Sequence, residues 1–419
     1  GGNGPDNGGE ETHTNASDST DEGGNATGAE ERRQWDGRRY AFFDDIEWAN
    51  IEYWAGTTMQ RVPGKCRQAF RKEVNSVAAE MNTGNVLAIK AFKLMPRMLL
   101  RRTPGGRATQ QKTVMARIEQ WKEGKYAEIW QRLEEEGMEQ AQRTEHAPKK
   151  EKPKDPQEAD ASRDRAARNK VAVGELSHAI MTLVSDGIYT GPTKGLAKLF
   201  MRGREGDELK WEMSDLPPAD MPEVTPAQFH AAVKKRKRGS AQAADGWRAD
   251  HVIDMNVTPG TGGDHDPIGP LRIFSLNYAG GRLPVTRDVY GHMAGGKVAA
   301  LAKPASDAPR PAVVVDLFRR LGMAALLKEN RDDLAEEFGS KNEFGVGIPA
   351  PAQTIAWSMK LAKEEDPTVV QFWADLKNGY SEVYNSAVEE GLRKFPPKLQ
   401  WMRRAFAAFY GRDNALYYR

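Results

Sequence analysis

Asp375 is the residue whose type and context best suit metal-ion chemistry, because it ends the apolar run VVQFWAD at 369–375. A continuous apolar run of this length predicts a buried strand. Many α/β and α+β enzymes place a carboxylate at the C-terminal end of such a strand as a metal ligand. The alternative is an Asp that caps the following helix, and the residues alone leave the two interpretations level.

A run of five cations could contact phosphates. The segment Thr225-Pro226-Ala227-Gln228 predicts a helix start, since Thr can cap, Pro fits the first helical position and Gln completes a capping box. This helix is expected to bury Phe229 and Val233. It ends in the cations Lys234, Lys235, Arg236, Lys237 and Arg238, before Gly239. A nuclear-import signal, a phosphate-contacting patch and a solvated helix end all stay open.

Two further motifs favour structural interpretations. GHMAGGKV at 291–298 has the spacing of a phosphate-binding P-loop, but Val298 stands where Ser or Thr would hold magnesium. A Gly-rich connector is therefore expected. The run Asp264-His265-Asp266 suggests metal ligation, but its adjacent side chains point in different directions and no second cluster completes a site. We expect a solvated loop there.

Composition limits the class of protein that can carry these residues. The 419 residues are 39% hydrophobic, which allows a sizeable core and several domains. Lys and Arg number 61 against 59 Asp and Glu, so any basic surface is local. The lone Cys66 excludes an internal disulfide framework within these residues and fits a nuclear or cytoplasmic location. No apolar run approaches the length of a membrane span.

The chain divides into five predicted segments. Residues 1–34 read as a disordered acidic tail, 35–145 as helical, and 146–170 as a charged linker or an extended solvated helix. Residues 171–298 are also expected to be helical, and 299–419 alternate short apolar strands with helices. The predicted fold class is α+β.

Apolar spacing predicts the helices within these segments. The first helical region runs from Ile46 to Arg102, with breaks at Gly84 and Pro96. A second helical stretch is predicted for Thr113 to Gln142. Its apolar stripe is Ile118, Trp121, Ile129, Trp130 and Leu133.

Four motifs, in order, resemble the reverse transcriptase domain of non-LTR retrotransposons. GSAQAADGWRADHV at 239–252 resembles G-x-D-G-[WI]-x-x-x-x-[LIV], and ALAKPASDAPRPAVVVDLFRRL at 300–321 resembles the KP…RPI fingers element. EFGVG at 343–347 resembles Q-x-G-[VF], and VVQFWADLKNGYSEVYN at 369–385 resembles the first palm motif. VLAIKAFKLMPRMLLRR at 86–102 is similar to a segment found ahead of many such domains.

The resemblance implies an RNA-directed DNA polymerase with a right-hand fold. Residues 171–298 would lead into the fingers, and 299–419 would form part of the fingers and palm. Asp375 would be the catalytic carboxylate and a ligand of Mg²⁺, the cofactor of a complete domain. Lys303 and Arg310 would lie on the two arms of a fingers hairpin and face the incoming triphosphate, and Tyr380 would select deoxynucleotides. The partners implied are an RNA template, a DNA primer and deoxynucleoside triphosphates.

Departures from the family pattern argue against catalysis by this polypeptide alone. Asp307-Ala308 stands where the family has Gly-Gly at the hairpin tip, which makes a tight turn harder to form there. The family's aromatic-x-Asp-Asp motif is not among these residues, so two of three metal-binding carboxylates are missing. We therefore expect a fragment or a decayed copy of the enzyme that is inactive alone. One alternative is a non-catalytic nucleic-acid-binding remnant, in which the run at 234–238, Arg310, Arg319 and Arg320 still contact phosphates. The other is an interaction protein built on helices 46–142.

Overall fold

The computed structural model describes a mostly helical chain with a small sheet, which agrees with the α+β prediction at this level. The described residues are 39–52, 57–146, 156–172, 182–183, 216, 220–256, 266–303, 306–339, 341, 343, 346, 350–370, 384–410 and 416–418. The first six helices are α1 (Trp48–Glu52), α2 (Arg67–Asn82), α3 (Val86–Leu100), α4 (Arg107–Lys122), α5 (Tyr126–His146) and α6 (Pro156–Ala172).

The later helices precede and follow the first two strands along the chain. They are α7 (Pro226–Lys234), α8 (Ala249–Met255), α9 (Gly269–Ala279), α10 (Arg287–Met293), α11 (Leu317–Glu329), α12 (Arg331–Gly339), α13 (Pro351–Glu365), α14 (Asn385–Arg393) and α15 (Trp401–Tyr410). The strands are β1 (Gly296–Lys303), β2 (Ser306–Val315) and β3 (Leu416–Tyr418). Short 3₁₀ turns lie at Ala41–Phe43, Gly64–Cys66 and Pro397–Leu399.

The first helical region bends where one of its two predicted breaks lies. Gly84 separates α2 from α3 with a φ of +84°, and a Cβ there would meet the carbonyl of Pro284, so glycine is required. Pro96 is not a break and lies inside α3. Proline leaves the carbonyl four residues earlier without its helical donor. That carbonyl belongs to Phe92, and it accepts a 3.1 Å hydrogen bond from the indole N–H of Trp247.

The stretch predicted as one helix from Thr113 to Gln142 is two helices, α4 and α5. Gly124 has a φ of +75°, and the N–H of Lys125 bonds to the carbonyl of Gln120. This is the Schellman arrangement that ends a helix at glycine. The apolar stripe is confirmed at its four most buried members: Ile118, Trp121, Ile129 and Leu133.

The hydrophobic core joins helices that are far apart in sequence. Buried side chains from 40–133, 216–294, 317–326 and 401–409 form one contiguous cluster. Helix α9 packs between α2 and α11, and Gly322 of α11 lies so close to the Ser275 carbonyl that a side chain would clash. Three of the predicted segments therefore contribute to one core. Helix α6 occupies 156–172, and Arg163, Arg165 and Val171 are among its exposed side chains.

The sheet is a long hairpin with a short third strand. β1 and β2 pair antiparallel from Gly296↔Val315 to Lys303↔Ser306, and β3 pairs parallel to β1. The predicted placement of Lys303 and Arg310 on two arms is confirmed, since they lie in β1 and β2. The prediction that Asp307-Ala308 forms the tip is wrong, because pairing continues past these residues to Ser306.

Candidate nucleic-acid interface

Helix α7 delivers the basic run as the sequence predicts. Thr225 and Gln228 form the capping box, and Phe229 and Val233 are fully buried. The helix ends at Lys234, and Gly239 adopts a φ of +75°. The two buried side chains fix the helix against α11, so its exposed C-terminal end has a defined position beside that helix.

Arg238, the last cation of the run, forms ion pairs with buried carboxylates of α8. The guanidinium of Arg238 lies 3.4 Å from a carboxylate oxygen of Asp250 and 3.3 Å from one of Asp254, both of which are fully buried. The N–H of Gly239 also donates to Asp250, at 2.8 Å. Arg61 contacts both oxygens of Asp254 through its Nε, and a second nitrogen lies 2.6 Å away. Arg238 therefore has a structural role.

Three of the four preceding cations line a cavity of about 380 Å³. One wall is the loop from Ser240 to Ala249, and the other is the junction between β2 and α11. The lining residues carry four cations and no carboxylate: Lys235, Arg236, Lys237, Ser240, Ala241, Ala243, Trp247, Ala249, Val314, Val315, Leu317 and Arg320. A concave site that is lined by charges of one sign and has low-dielectric walls concentrates ions of the opposite sign, here anions. We call this feature the basic cavity.

Two guanidinium groups lie close together in the basic cavity. Arg236 is half-buried and donates a 3.0 Å hydrogen bond to the main-chain carbonyl of Arg320. Its Nε is buried and has no hydrogen-bond partner among the described residues. Burial, together with the nearby charge of Arg320, lowers the pKa of Arg236. Positive charge here is thus incompletely compensated by protein groups, and an anionic ligand would compensate it.

Of the predicted site residues, Lys235, Arg236 and Lys237 line the basic cavity, whereas Lys234, Lys303 and Arg310 do not. Lys234, Lys235 and Lys237 are exposed at the end of α7. Lys303 and Arg310 lie toward the far end of the hairpin whose near end, Val314-Val315, lines the cavity.

Arg319, the neighbour of Arg320, is engaged elsewhere. Its guanidinium carbon lies 3.8 Å from the centroid of the Phe409 ring. This cation–π contact holds α11 against α15. The prediction that Arg319 contacts phosphates in a nucleic-acid-binding remnant is therefore not supported, because this side chain packs on Phe409.

The predicted catalytic residues Asp375 and Tyr380 lie outside the described residues. The start of their predicted strand is wrong: Val369 and Val370 belong to no strand and are exposed, Val370 by 89%. Such exposure excludes a buried strand at these two positions. In the part of the chain that the structure describes, no group of three His, Cys, Asp or Glu side chains could hold a metal ion.

Of the two motifs expected to be structural, the Gly-rich connector is confirmed, whereas Asp266 is ion-paired and only 17% exposed, and so is not part of a solvated loop. Gly291–Val298 spans the end of α10 and the start of β1, as a connector. Asp266 accepts from Arg272 Nε at 2.7 Å and lies 3.0 Å from His230 Nε2. Asp264 and His265 lie outside the described residues.

A buried charge cluster beneath the basic cavity was missed by sequence reasoning. Lys93 of α3 contacts Asp245 at 3.5 Å and Asp316 at 3.0 Å, and all three side chains are at most 6% exposed. Burial raises the pKa of Asp245, although the charge of Lys93 opposes this. The available signal was the presence of two lysines, Lys90 and Lys93, in the otherwise apolar segment VLAIKAFKL.

Comparison with known proteins identifies no relative. No protein-family model, no curated protein and no solved structure matches the chain. In the described part of the chain, no helix combines the length and apolarity that crossing a bilayer requires.

Proposed function

We propose that this chain binds the phosphates of RNA or DNA in the basic cavity, as the fingers-side part of a reverse transcriptase-like nucleotidyltransferase. The observation that carries the proposal is the group of four cations around one concavity whose lining contains no carboxylate. Paired cations contribute to folding, whereas cations that lack acidic partners gain most from an incoming phosphate.

The position of the basic cavity supports the polymerase part of the proposal. Its walls come from two of the four motifs that resemble the family: the 239–252 segment and the 300–321 hairpin element. Both motifs therefore meet at one site, although they are separated by about fifty residues of helix and loop. A nucleic-acid backbone bound there would lie alongside the hairpin that carries Lys303 and Arg310.

Among the described residues, no group of three acidic, His or Cys side chains could hold Mg²⁺. The lysines and arginines of the basic cavity are suited to phosphate binding, because both side chains donate charge-assisted hydrogen bonds to phosphate oxygens. The alternative of an interaction protein built on helices 46–142 has less support. The buried apolar side chains of α2 to α5 belong to the hydrophobic core, and α2 also packs against α8 and α9.

Fluorescence anisotropy with a labelled single-stranded RNA of about 20 nucleotides tests the proposal, at salt concentrations from about 50 to 200 mM. The slope of log K against log salt is negative, and each lost phosphate contact reduces its magnitude by about 0.7 for a single strand. The triple variant Lys235→Ala, Lys237→Ala, Arg320→Ala should therefore lower the slope by about 2. Its affinity at 0.1 M salt should fall about a hundredfold.

The matched control removes three exposed lysines outside the basic cavity: Lys112→Ala, Lys360→Ala and Lys363→Ala. Both triple variants lower the net charge equally, so a general charge effect would weaken both alike. Equal losses, or salt-independent binding by the unmodified chain, would contradict the proposal. Primer extension on the same RNA, with dependence on Asp375, would instead show that the polypeptide is catalytic.

A further inference from the structure

The two walls of the basic cavity meet at a single side chain beneath it. Lys93 Nζ lies 3.5 Å from Asp245 Oδ2, 3.0 Å from Asp316 Oδ2 and 3.1 Å from the carbonyl oxygen of Met293. An ammonium group has three protons, and three acceptors surround it here. Its side chain is 6% exposed, so water does not compete for these contacts.

Asp245 connects Lys93 to the loop wall. Its Oδ1 accepts from the N–H of Trp247, a cavity-lining residue, while its Oδ2 faces Lys93. The Trp247 indole in turn donates to the carbonyl of Phe92, which adjoins Lys93 in α3. Arg97, one helical turn further on, donates to the carbonyl of Ala244 at 3.2 Å. The loop wall is therefore attached to α3.

Asp316 connects Lys93 to the opposite wall. It lies between Val315 and Leu317, both of which line the cavity. Its Oδ1 caps α11 by accepting from the N–H groups of Phe318 and Arg319, at 2.8 and 2.9 Å. Its Oδ2 is left for Lys93. One carboxylate thus fixes both the start of the helix that carries Arg320 and its distance from α3.

We propose that Lys93 is a positioning residue that holds the two walls of the basic cavity together, and thereby sets the affinity of the cavity for nucleic-acid phosphates. Its effect on affinity rests on the proposed function, whereas its effect on the walls does not. Without the ammonium group, Asp245 and Asp316 would lose the partner that they share, and the two walls would lose the ion pairs that join them. The cations that contact phosphate would remain in number but lose their common geometry.

The test compares Lys93→Met with Lys90→Met on the same helix. Lys90 is also buried, but its Nζ donates to the carbonyl of Asp44, away from the basic cavity. We expect Lys93→Met to weaken RNA binding about fivefold at 0.1 M salt, since one misplaced wall removes about one optimal contact. The salt slope should fall by less than about 0.7, because the cavity cations remain. Lys90→Met should bind within about twofold of the unmodified chain.

Two further variants guard against failure to fold. Lys93→Met combined with Asp245→Asn and Asp316→Asn removes the unpaired charges while Asn can still cap α11. It should fold and bind as weakly as Lys93→Met. The conservative Lys93→Arg keeps a cation between the carboxylates and should bind within about threefold of the unmodified chain. A folded variant without a cation at position 93 that binds normally would overturn the proposal.

Hydrogen exchange provides a measurement that does not depend on RNA. In Lys93→Met, and in its combination with Asp245→Asn and Asp316→Asn, amides of 240–247 and 314–320 should exchange at least about tenfold faster. The amides of α5 should not change. Lys90→Met should leave both walls protected. Unchanged exchange in both walls would overturn the positioning role even if RNA binds. Faster exchange in a chain that never binds RNA would support the role and refute the proposed function.

Discussion

Arg236 and Arg238 are two residues apart in one basic run, yet they occupy opposite electrostatic surroundings. Arg238 contacts two fully buried carboxylates, whereas Arg236 contacts a main-chain carbonyl and lies near another arginine. The same residue type therefore contributes to folding at one position and is available for binding at the other. In a run of cations, the partners decide the role, and the count of charges does not.

The same contrast distinguishes the two regions to which these arginines belong. Around α8, Asp254 is surrounded by the guanidinium groups of Arg61, Arg67 and Arg238. In the basic cavity the lining carries cations without acidic residues. Variants in the first region should change stability and leave the salt slope of RNA binding intact. Variants in the second should do the reverse.

Removal of Asp254 should have the largest effect on stability. Asp254→Ala leaves three arginines without their shared carboxylate and removes the acceptor of the Val62 N–H. Breaking a buried ion pair costs about 3 to 5 kcal/mol, and we expect about 3 because the arginines are partly exposed. Urea unfolding measures the change, with the exposed Asp332→Ala as control for the lost charge. An altered RNA salt slope in folded Asp254→Ala would show that the region around α8 also contributes to RNA binding.

The stability of the region around α8 should also depend on pH, through His251 of that helix. Its Nε2 lies 2.7 Å from the Met59 carbonyl and its Nδ1 accepts from the N–H of Arg248, which fits a neutral ring. Burial lowers the pKa of His251 to about 4. The unfolded chain binds a proton below about pH 6.5 and the folded chain only near 4, so stability is lost as pH falls between these values.

The expected loss at His251 is about 3 kcal/mol, from a pKa difference of about 2.5 at 1.36 kcal/mol each. Urea unfolding between about pH 4.5 and 7 measures it. His251→Gln cannot be protonated, so its stability should be lower at pH 7 but should fall less on acidification. If the two chains lose stability in parallel, buried carboxylates elsewhere cause the acid sensitivity.

Local signals predicted much of the fold correctly. The capping box at Thr225 and Gln228 and the break at Gly84 each depend on residues within a few positions of each other. The placement of Lys303 and Arg310 on two hairpin arms came from the family resemblance. The failures had distant causes. Pro96 stays within a helix because its freed carbonyl is satisfied by Trp247, 155 residues from Phe92. No window of sequence around Pro96 contains that donor.

The candidate site was predictable in composition but not in geometry. The five cations were evident from the sequence, while the separation of Arg238 from Lys235, Arg236 and Lys237 depends on where α8 places Asp250 and Asp254. Lys93 was hidden for a similar reason. Its carboxylate partners lie 152 and 223 residues away, and only the tertiary fold brings them to α3.

The smallest effects on stability should come from the single alanine substitutions of Arg236 and Arg238. Arg238→Ala loses ion pairs that are about half exposed, while Asp254 keeps Arg61 and Arg67, so we expect a loss of about 1 kcal/mol. Arg236→Ala removes a hydrogen bond but also the repulsion from Arg320, so its stability should change by less than about 0.5 kcal/mol. Urea unfolding resolves the two.

RNA binding should rank the same two variants in the opposite order. Arg236→Ala should lower the salt slope by about 0.7, the value for one phosphate contact with a single strand. Arg238→Ala should leave the slope unchanged, since its guanidinium already has carboxylate partners. Both variants remove one arginine from one five-residue run, so net charge cannot separate them. Equal slopes would show that the run acts as a diffuse cationic patch, and that burial against Asp250 and Asp254 does not withdraw Arg238 from binding.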